Sequence, residues 1–280
     1  MEQLEGKVAV ITGGASGIGR ALADKAAALG MKVVIGDIEQ GPLDETVAAL
    51  KEHGADVLGV VTDVGDLASV EALRDAALST FGAVHLLCNN AGVGGGGRTW
   101  EIPMEQWKWV LDVDLWGVIH GIHAFVPGMI AQGEGHVVNT ASIAGLTSTP
   151  GLGSYNVAKH GVVTLSETLF HELRGEGRGV GVSVLCPAFV NTRIYDSDRN
   201  APQALRQEQD GADAMQATAV RDFIKSAVES GIDPAEVARQ VFDAVQSNRF
   251  YILTHPASVA WVKNRVDRIV EGGDPASSFG

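Results

Sequence analysis

The feature that most constrains this chain is a regular alternation of short apolar runs with longer segments of helical period. Seven runs of strand length occur at residues 8–12, 32–36, 56–62, 84–89, 136–141, 181–186 and 250–254. Six segments of helix length accompany them, at residues 18–29, 43–53, 67–81, 104–130, 152–174 and 234–247. Several runs are apolar at consecutive positions, which is typical of parallel strands that helices cover on both faces. The alternation predicts an α/β fold with a doubly wound, seven-stranded parallel sheet and helices on both faces.

The whole chain, residues 1–280, is predicted to form a single domain because it contains no internal linker or repeat. A long segment separates the sixth run from the seventh. We interpret residues near 188–232, which are polar and charged for much of their length, as an insertion that forms a substrate loop. Residues near 255–280 finish in a stretch rich in glycine, serine and proline, which predicts a loosely held C-terminal tail.

Composition narrows the classes of partner. With 45% hydrophobic and 20% charged residues, the chain has enough apolar material for a buried core. The formal net charge of −13 disfavours nucleic acid and anionic membranes, because their phosphates would be repelled. No apolar run reaches the roughly 20 residues that span a bilayer, and the start of the chain lacks a signal-peptide pattern. The 2 cysteines, Cys88 and Cys186, fall in predicted strands, so we expect a reducing, cytoplasmic location.

A glycine-rich turn follows the first predicted strand. Residues 12–19 read TGGASGIG and lead directly into a predicted helix. Gly13 permits a sharp turn, Gly17 lets a phosphate approach the backbone, and Gly19 lets the helix pack against the strand. The unpaired N–H groups at the start of that helix suit a pyrophosphate. In this strand–turn–helix context the motif predicts a Rossmann-type dinucleotide site.

Asp37 ends the second predicted strand, 18 residues after Gly19, where an acidic side chain accepts hydrogen bonds from an adenosine ribose. A carboxylate at that place repels a 2′-phosphate. The residues that follow it, 38–40, include no arginine or lysine that would attract one. The sequence therefore favours NAD as the cofactor and makes NADP the less favoured alternative.

The third and fourth predicted strands also end in residues that suit a nucleotide. Asp63 and Val64 close the third strand, where the carboxylate can reach an adenine amino group. Residues 89–92 read NNAG and close the fourth strand, where small side chains let a ribose lie on the backbone. Such residues are common in turns of any kind. Four consecutive strand ends with nucleotide-compatible residues nevertheless indicate one binding edge.

A serine, a tyrosine and a lysine indicate proton and hydride chemistry. Ser142 follows the fifth predicted strand, and Tyr155 and Lys159 lie four residues apart on one face of the next predicted helix. A phenol ordinarily has a pKa of about 10 and is a poor base at neutral pH. An adjacent ammonium lowers that pKa. Tyr155 can then exchange a proton with an alcohol or a carbonyl oxygen, to which Ser142 can also hydrogen-bond.

These motifs together resemble the short-chain dehydrogenase/reductase family in its single-domain branch. The matching pieces are TGGASGIG at 12–19, Asp37, Asp63, NNAG at 89–92, Ser142, YNVAK at 155–159 and PAFVNT at 187–192. The resemblance implies that Ser142, Tyr155 and Lys159 are catalytic, with Lys159 also holding the nicotinamide ribose. It further implies that the segment 187–192 brackets the nicotinamide. A homo-oligomer, either a tetramer or a dimer, is usual in the family and is built partly on the two long helices.

The predicted cofactor-binding set combines the strand ends with the positions that the resemblance supplies. It comprises Gly13, Ser16, Gly17, Ile18, Gly19, Asp37, Ile38, Asp63, Val64, Asn90, Ala91, Gly92, Val113, Tyr155, Lys159, Pro187, Val190 and Thr192. The predicted substrate contacts are Ser142, Ala144, Leu152, Tyr155 and Phe189. Because these contacts are mostly apolar, they favour a hydrophobic ketone or secondary alcohol.

Two positions depart from the family pattern. The family usually reads V-N-L-x-G in the long helix before the fifth strand, whereas residues 113–117 here read VDLWG. In the family, that asparagine is thought to bend the helix so that a backbone carbonyl holds a water in the proton relay from the lysine. We therefore include Asp114 among the catalytic candidates and expect its charge to shift the pH optimum. The second departure, Ala188 in place of glycine, adds only a methyl group.

His120 and His123 lie three residues apart in a predicted helix, a spacing that can bind a metal ion. The sequence offers no third ligand at a matching position, so no metal site is predicted.

The leading hypothesis is an NAD-dependent oxidoreductase that interconverts a secondary alcohol and a ketone. Two alternatives stay open: an NADPH-dependent carbonyl reductase and a non-catalytic dinucleotide sensor. The presence of Ser142, Tyr155 and Lys159 argues against the sensor, which needs the glycine turn but no proton donor. An enoyl reductase is disfavoured because the double-bond-reducing relatives space the tyrosine and the lysine more widely.

Overall fold

The structure, a computed structural model, describes residues 1–203, 205 and 225–276. Within these residues the strands are β1 (Val8–Thr12), β2 (Lys32–Asp37), β3 (Val57–Val61), β4 (Leu86–Asn89), β5 (Gly135–Thr140), β6 (Val180–Cys186) and β7 (Tyr251–Leu253). They form one parallel sheet in the order β3-β2-β1-β4-β5-β6-β7. The strand order reverses between β1 and β4, which is where a doubly wound sheet opens a ligand crevice. The predicted fold class is confirmed.

Helices cover both faces of this sheet. Their bounds are α1 (Gly17–Ala28), α2 (Gln40–Glu52), α3 (Leu67–Phe81), α4 (Met104–Leu111), α5 (Gly117–Gln132), α6 (Gly153–Gly175), α7 (Pro234–Ser247) and α8 (Ser258–Glu271). Side chains alternate between the faces along β1, so Ile11 packs with α1 and α7 while Val10 packs with α3 and α5. Every residue of β1 is buried because both of its faces are covered.

The long helix predicted over 104–130 is interrupted in the structure. Residues Asp112–Trp116 form a π-helical segment between α4 and α5. A π segment places an extra residue in each turn and is often found at functional sites. Apolar residues continue on both sides of it at helical spacing, so the periodicity of the sequence gives no sign of the interruption. Asp114 lies within this segment and is fully buried.

Within the predicted tail near 255–280, residues 258–271 form a helix, α8, that the sequence did not predict. The hydroxyl of Ser258 donates to the carbonyl of His255 at the start of this helix, and Lys263 pairs with Asp267 one turn further on. This segment is helical although few of its side chains are buried. The stretch rich in glycine, serine and proline follows the end of the helix. Residues 277–280 of the predicted tail, and residues 204 and 206–224 of the predicted insertion, lie outside the described residues.

By length and composition alone, one helical stretch of the described chain, Met104–Gln132, could cross a membrane. Phe125, Val126 and Met129 of this stretch are buried in the core on one face of the sheet. We interpret it as a core helix, since a helix that is apolar around much of its circumference is expected in the interior of a domain of this size.

Candidate active site

A cavity of about 780 Å³ lies along the carboxyl edge of the sheet. The predicted cofactor residues that line it are Gly13, Ser16, Gly17, Ile18, Asp37, Ile38, Asp63, Val64, Asn90, Ala91, Gly92, Val113, Tyr155, Lys159, Pro187, Val190 and Thr192. Ser142 lines the same cavity. Side chains from six strand ends and from α6 therefore meet in a single crevice, as parallel strands require.

The turn after β1 is held against the end of β4. Gly13 has a φ of +63°, which favours glycine, and a Cβ there would lie 2.7 Å from Ala91 Cα. Thr12 Oγ1 accepts hydrogen bonds from the backbone N–H groups of Asn90 at 3.0 Å and Ala91 at 3.1 Å. The two loops therefore form one rigid wall of the crevice.

Gly19 lies behind this wall and not in the lining of the cavity. A Cβ at this position would lie 2.1 Å from the carbonyl oxygen of Gly13. Gly19 therefore permits the close packing of α1 beneath the turn. Among the described residues, Ser16 makes no side-chain capping bond to α1. The first N–H groups of α1 are consequently suited to hold an anion such as a pyrophosphate.

Asp37 lies at the end of β2, with its carboxylate turned toward the glycine turn. Its Oδ2 accepts a hydrogen bond from Ala15 N–H at 2.9 Å, and its Oδ1 accepts one from Glu39 N–H at 3.0 Å. The side chain is thereby fixed at the rim of the cavity, where it can still accept from ribose hydroxyls through its remaining lone pairs.

Asp63 and Val64 follow β3 at the same edge. Asp63 Oδ1 accepts a hydrogen bond from Gly65 N–H at 2.9 Å, and Val64 is largely buried and lines the cavity. This pair forms an Asx-type turn. It gives the cavity a carboxylate and an apolar surface side by side.

Lys159 reaches from α6 to the end of β5. Its Nζ donates to the carbonyl of Thr140 at 3.2 Å and lies 3.5 Å from Asp114 Oδ2. It also lies 5.5 Å from the centre of the Tyr155 ring. A lysine that is 3% exposed needs such partners, because a buried ammonium is costly without them.

Tyr155 lies beside Ser142 in the lining of the cavity. Burial raises the pKa of Tyr155, while Lys159 and a hydrogen bond with Ser142 lower it and Asp114 raises it. The ammonium therefore acts in the direction that the sequence predicts, but burial has the larger effect on the pKa of Tyr155. Ser142 Oγ accepts from Ala144 N–H at 3.1 Å, which fixes the serine hydroxyl beside the phenol.

Asp114 belongs to the site without lining its cavity. Its Oδ1 accepts a hydrogen bond from Val93 N–H at 2.7 Å, and its other oxygen faces Lys159. Burial raises the pKa of Asp114, and Lys159 and the Val93 N–H oppose that effect. The side chain thus joins the loop after β4 to the lysine.

The structure does not bring three predicted substrate residues into the described lining. Ala144 is buried in the short turn after β5, and Leu152 pairs with Gly97 outside the cavity. The carbonyl of Phe189 accepts from His255 Nε2 at 3.0 Å, which directs this segment toward α8. Sequence reasoning missed Glu39, Arg199 and Ser197 in the lining, since nothing in the sequence relates positions so far apart.

One of the two histidines considered as metal ligands has another hydrogen-bond partner. His120 Nδ1 is hydrogen-bonded to the carbonyl of Val64 at 2.8 Å. Among the described residues there is no group of three histidine, cysteine, aspartate or glutamate side chains that could hold a metal ion.

A doubly wound sheet that brings a glycine turn, an aspartate at the end of β2 and a tyrosine–lysine pair to one cavity defines a dinucleotide-dependent oxidoreductase. The chain matches the family described as short chain dehydrogenase over residues 7–203. It therefore belongs to the short-chain dehydrogenase family, and the resemblance found in the sequence is confirmed. Members of this class interconvert hydroxyl and carbonyl groups.

Individual relatives cover nearly the whole chain. It is 36% identical over 277 residues to the CLA biosynthesis dehydrogenase/reductase of Lactiplantibacillus plantarum, spanning 98% of this chain and 97% of the relative. It is 36% identical over 258 residues to 1-deoxy-11-beta-hydroxypentalenate dehydrogenase of Streptomyces avermitilis, spanning 90% and 86% of the two chains. The crystal structure of a short chain dehydrogenase/reductase from Burkholderia phymatum in complex with NAD matches with a TM-score of 0.95 at 50% identity, covering 99% of each chain.

Proposed function

We propose that this protein transfers a hydride between NAD(H) and a hydrophobic secondary alcohol or ketone, with Tyr155 as general acid and base. The observation that carries this proposal is the arrangement of Ser142, Tyr155 and Lys159 on one wall of the cavity that the glycine turn opens. The short chain dehydrogenase/reductase from Burkholderia phymatum, whose crystal structure is a complex with NAD, is 50% identical to this chain.

The residues of the cavity fit a dinucleotide. Gly13 and Gly17 stand where a Cβ would approach Ala91 or Thr192 within about 3 Å. The start of α1 suits the pyrophosphate, and Asp37 suits an unphosphorylated ribose. Lys159, Pro187, Val190 and Thr192 would hold the nicotinamide end. When bound, the cofactor supplies or accepts the hydride.

The chain itself manages the proton. In alcohol oxidation, Tyr155 Oη takes the proton of the substrate hydroxyl, and in ketone reduction it returns one to the carbonyl oxygen. Ser142 donates to that same oxygen and keeps it within reach of the phenol. The ammonium of Lys159 favours the phenolate form of Tyr155. Asp114 and Thr140 position the ammonium through their oxygens.

An apolar substrate is supported by the residues around the catalytic pair. Val93 and Val190 are buried beside it, and Ile194 lines the cavity above it. The relative from Streptomyces avermitilis is named for the dehydrogenation of a hydroxypentalenate. A screen of NAD reduction with aliphatic, aromatic, steroid and polyol alcohols tests the proposal. Turnover confined to polyols would contradict the hydrophobic class, and NADH binding without turnover of any alcohol would favour a dinucleotide sensor.

Asp37→Asn is expected to lower the preference for NAD over NADP by about tenfold, because the repulsion of a 2′-phosphate is lost while the side-chain shape is kept. The measurement is the ratio of kcat/KM for the two cofactors. Asp243→Asn removes an exposed carboxylate on α7 and serves as the control. Equal ratios in the Asp37 variant and the parent protein would contradict the role of Asp37, and a parent kcat/KM with NADPH comparable to that with NADH would favour the NADPH-dependent reductase.

A homo-oligomer, a dimer or a tetramer, is part of the proposal. Trp116 at the end of the π segment is 50% exposed and Val157 on α6 is 51% exposed. Large apolar side chains on neighbouring helices suit an interface between copies. Light scattering should give the mass of two or four chains.

A cytoplasmic location is proposed from the free thiols of Cys88 and Cys186, and fractionation of the source cells tests it.

A further inference from the structure

A short segment of the chain lies over the cavity. Residues Ile194–Asn200 form a 3₁₀-type turn that follows the loop after β6. Its residues Ile194, Ser197, Arg199 and Asn200 line the same cavity as Asp37 and Tyr155. The segment therefore forms the outer wall opposite the strand ends, and side-chain hydrogen bonds join it to the strand-end loops at two places.

One contact is an ion pair at the end of the cavity formed by β2. Arg199 donates from Nε to Glu39 Oε1 at 3.0 Å and from Nη2 to the same oxygen at 2.7 Å. Asn200 Nδ2 donates to it as well, at 2.9 Å. The Arg199 hydrogen bond lowers the pKa of Glu39 and keeps that carboxylate ionised. These residues are 160 positions apart, so the pair joins two distant parts of the chain.

The ion pair is built into its surroundings on both sides. Glu39 N–H donates to Asp37 Oδ1 at 3.0 Å, which ties the pair to the predicted ribose-binding acid. Arg199 Nη1 donates to the carbonyl of Asp196 at 2.8 Å and to that of Arg193 at 3.3 Å. The guanidinium is thus held by its own segment and directed at Glu39.

The other contact lies toward the catalytic end. Gly94 N–H, in the loop after β4, donates to Ser197 Oγ at 2.9 Å. The Ser197 hydroxyl in turn donates to the carbonyl of Ile194. The segment is therefore fastened at both ends of the crevice, by a charged pair at the β2 end and by a neutral hydrogen bond beyond β4.

We propose that residues 194–200 are a strap that retains the bound dinucleotide, and that the Glu39–Arg199 pair sets the rate at which the cofactor leaves. This inference rests on the proposed function, because it requires a dinucleotide in the cavity. A ligand lying between Asp37 and the strap is released when the pair opens. Each member of the pair is 23% exposed, so solvent ions reach it and weaken it.

The test is the dissociation rate of NADH, followed by stopped-flow fluorescence as excess NAD displaces it. Glu39→Gln keeps the size of the side chain and removes its charge. We expect NADH to leave this variant about tenfold faster, the effect of losing one charge-assisted contact. Added sodium chloride should speed release from the parent protein and have little further effect on the variant.

Glu236→Gln is the matched control. Glu236 on α7 binds Arg239 through Nε at 2.8 Å and Nη2 at 2.6 Å, and it also accepts from Gln240 Nε2 at 2.9 Å. It thus repeats the chemistry of the Glu39 pair outside the cavity lining. Release from this variant should match the parent protein, and an equal acceleration in both variants would overturn the strap.

Ser197→Ala removes the hydrogen bond at the other end of the strap and should also speed the release of NADH. This variant provides a second test if Glu39→Gln does not fold. Unchanged release from folded Glu39→Gln overturns the strap and leaves the proposed function intact. Failure of the parent protein to bind NADH overturns both. The measurement of NADH release needs no alcohol substrate, so failure of the strap can be distinguished from failure of the proposed function.

Discussion

Tyr155→Phe is expected to lower kcat for alcohol oxidation by about 10²–10⁴-fold, the usual contribution of a positioned acid or base. The phenol is the group that the geometry places beside Ser142, with the Lys159 ammonium 5.5 Å from its ring. Phenylalanine keeps the ring that lines the cavity and removes only the oxygen that carries the proton. The measurement is steady-state NAD reduction with a substrate found in the alcohol screen.

Tyr251→Phe is the control for this substitution. Tyr251 is 47% exposed on β7, and its hydroxyl donates to Glu167 Oε1 at 2.5 Å. It is a hydrogen-bonded tyrosine outside the described lining of the cavity, so its loss should leave kcat near the parent value. NADH affinity should be retained in both variants, since neither change removes a contact to the pyrophosphate or the adenosine ribose.

A Tyr155→Phe protein that turned over as fast as the parent would contradict the assigned proton transfer. Loss of turnover together with loss of NADH binding would instead indicate that the hydroxyl contributes to cofactor binding or to the structure of the site. Comparing NADH affinity with kcat in this variant therefore distinguishes an enzyme from a dinucleotide sensor, because the hydroxyl takes part in no reaction in a sensor.

Most of the candidate site follows from local sequence rules. The glycine turn, Asp37 and the NNAG segment each come directly after a strand, and parallel strands bring their carboxyl ends to one edge. Tyr155 and Lys159 share a helix face because they lie four residues apart. The position of these residues in the cavity is thus a consequence of helical periodicity and of a parallel sheet, both of which the sequence predicts.

What the sequence did not reveal depends on contacts between distant segments. Glu39 and Arg199 form a pair across the cavity that no local pattern predicts. The π segment at Asp112–Trp116 leaves the apolar spacing of the helix unchanged. Helix α8 was missed because most of its side chains remain exposed, which weakens the apolar stripe that identifies a packed helix.

The pKa of Tyr155, the proposed proton acceptor, depends in part on Asp114, which stands where the family usually has asparagine. Its carboxylate is fully buried, and Lys159 Nζ lies 3.5 Å away. While it is ionised, the carboxylate raises the pKa of Tyr155 and partly cancels the influence of the ammonium. Asparagine has nearly the same shape and would still accept from Val93 N–H, so the exchange removes charge with little change of packing.

Asp114→Asn is therefore expected to move the pH profile of alcohol oxidation toward lower pH by about one unit, equivalent to about 1.4 kcal/mol at the phenol. Oxidation needs the deprotonated acceptor, so kcat/KM rises as pH passes the pKa of Tyr155, and removing a negative charge lowers that pKa. The measurement is kcat/KM for the alcohol across pH at saturating NAD. Asp267→Asn, which breaks an exposed pair with Lys263 on α8, should leave the midpoint in place. If the Asp114 variant kept the parent midpoint, the carboxylate would be neutral throughout the working range and would act on Lys159 by position alone.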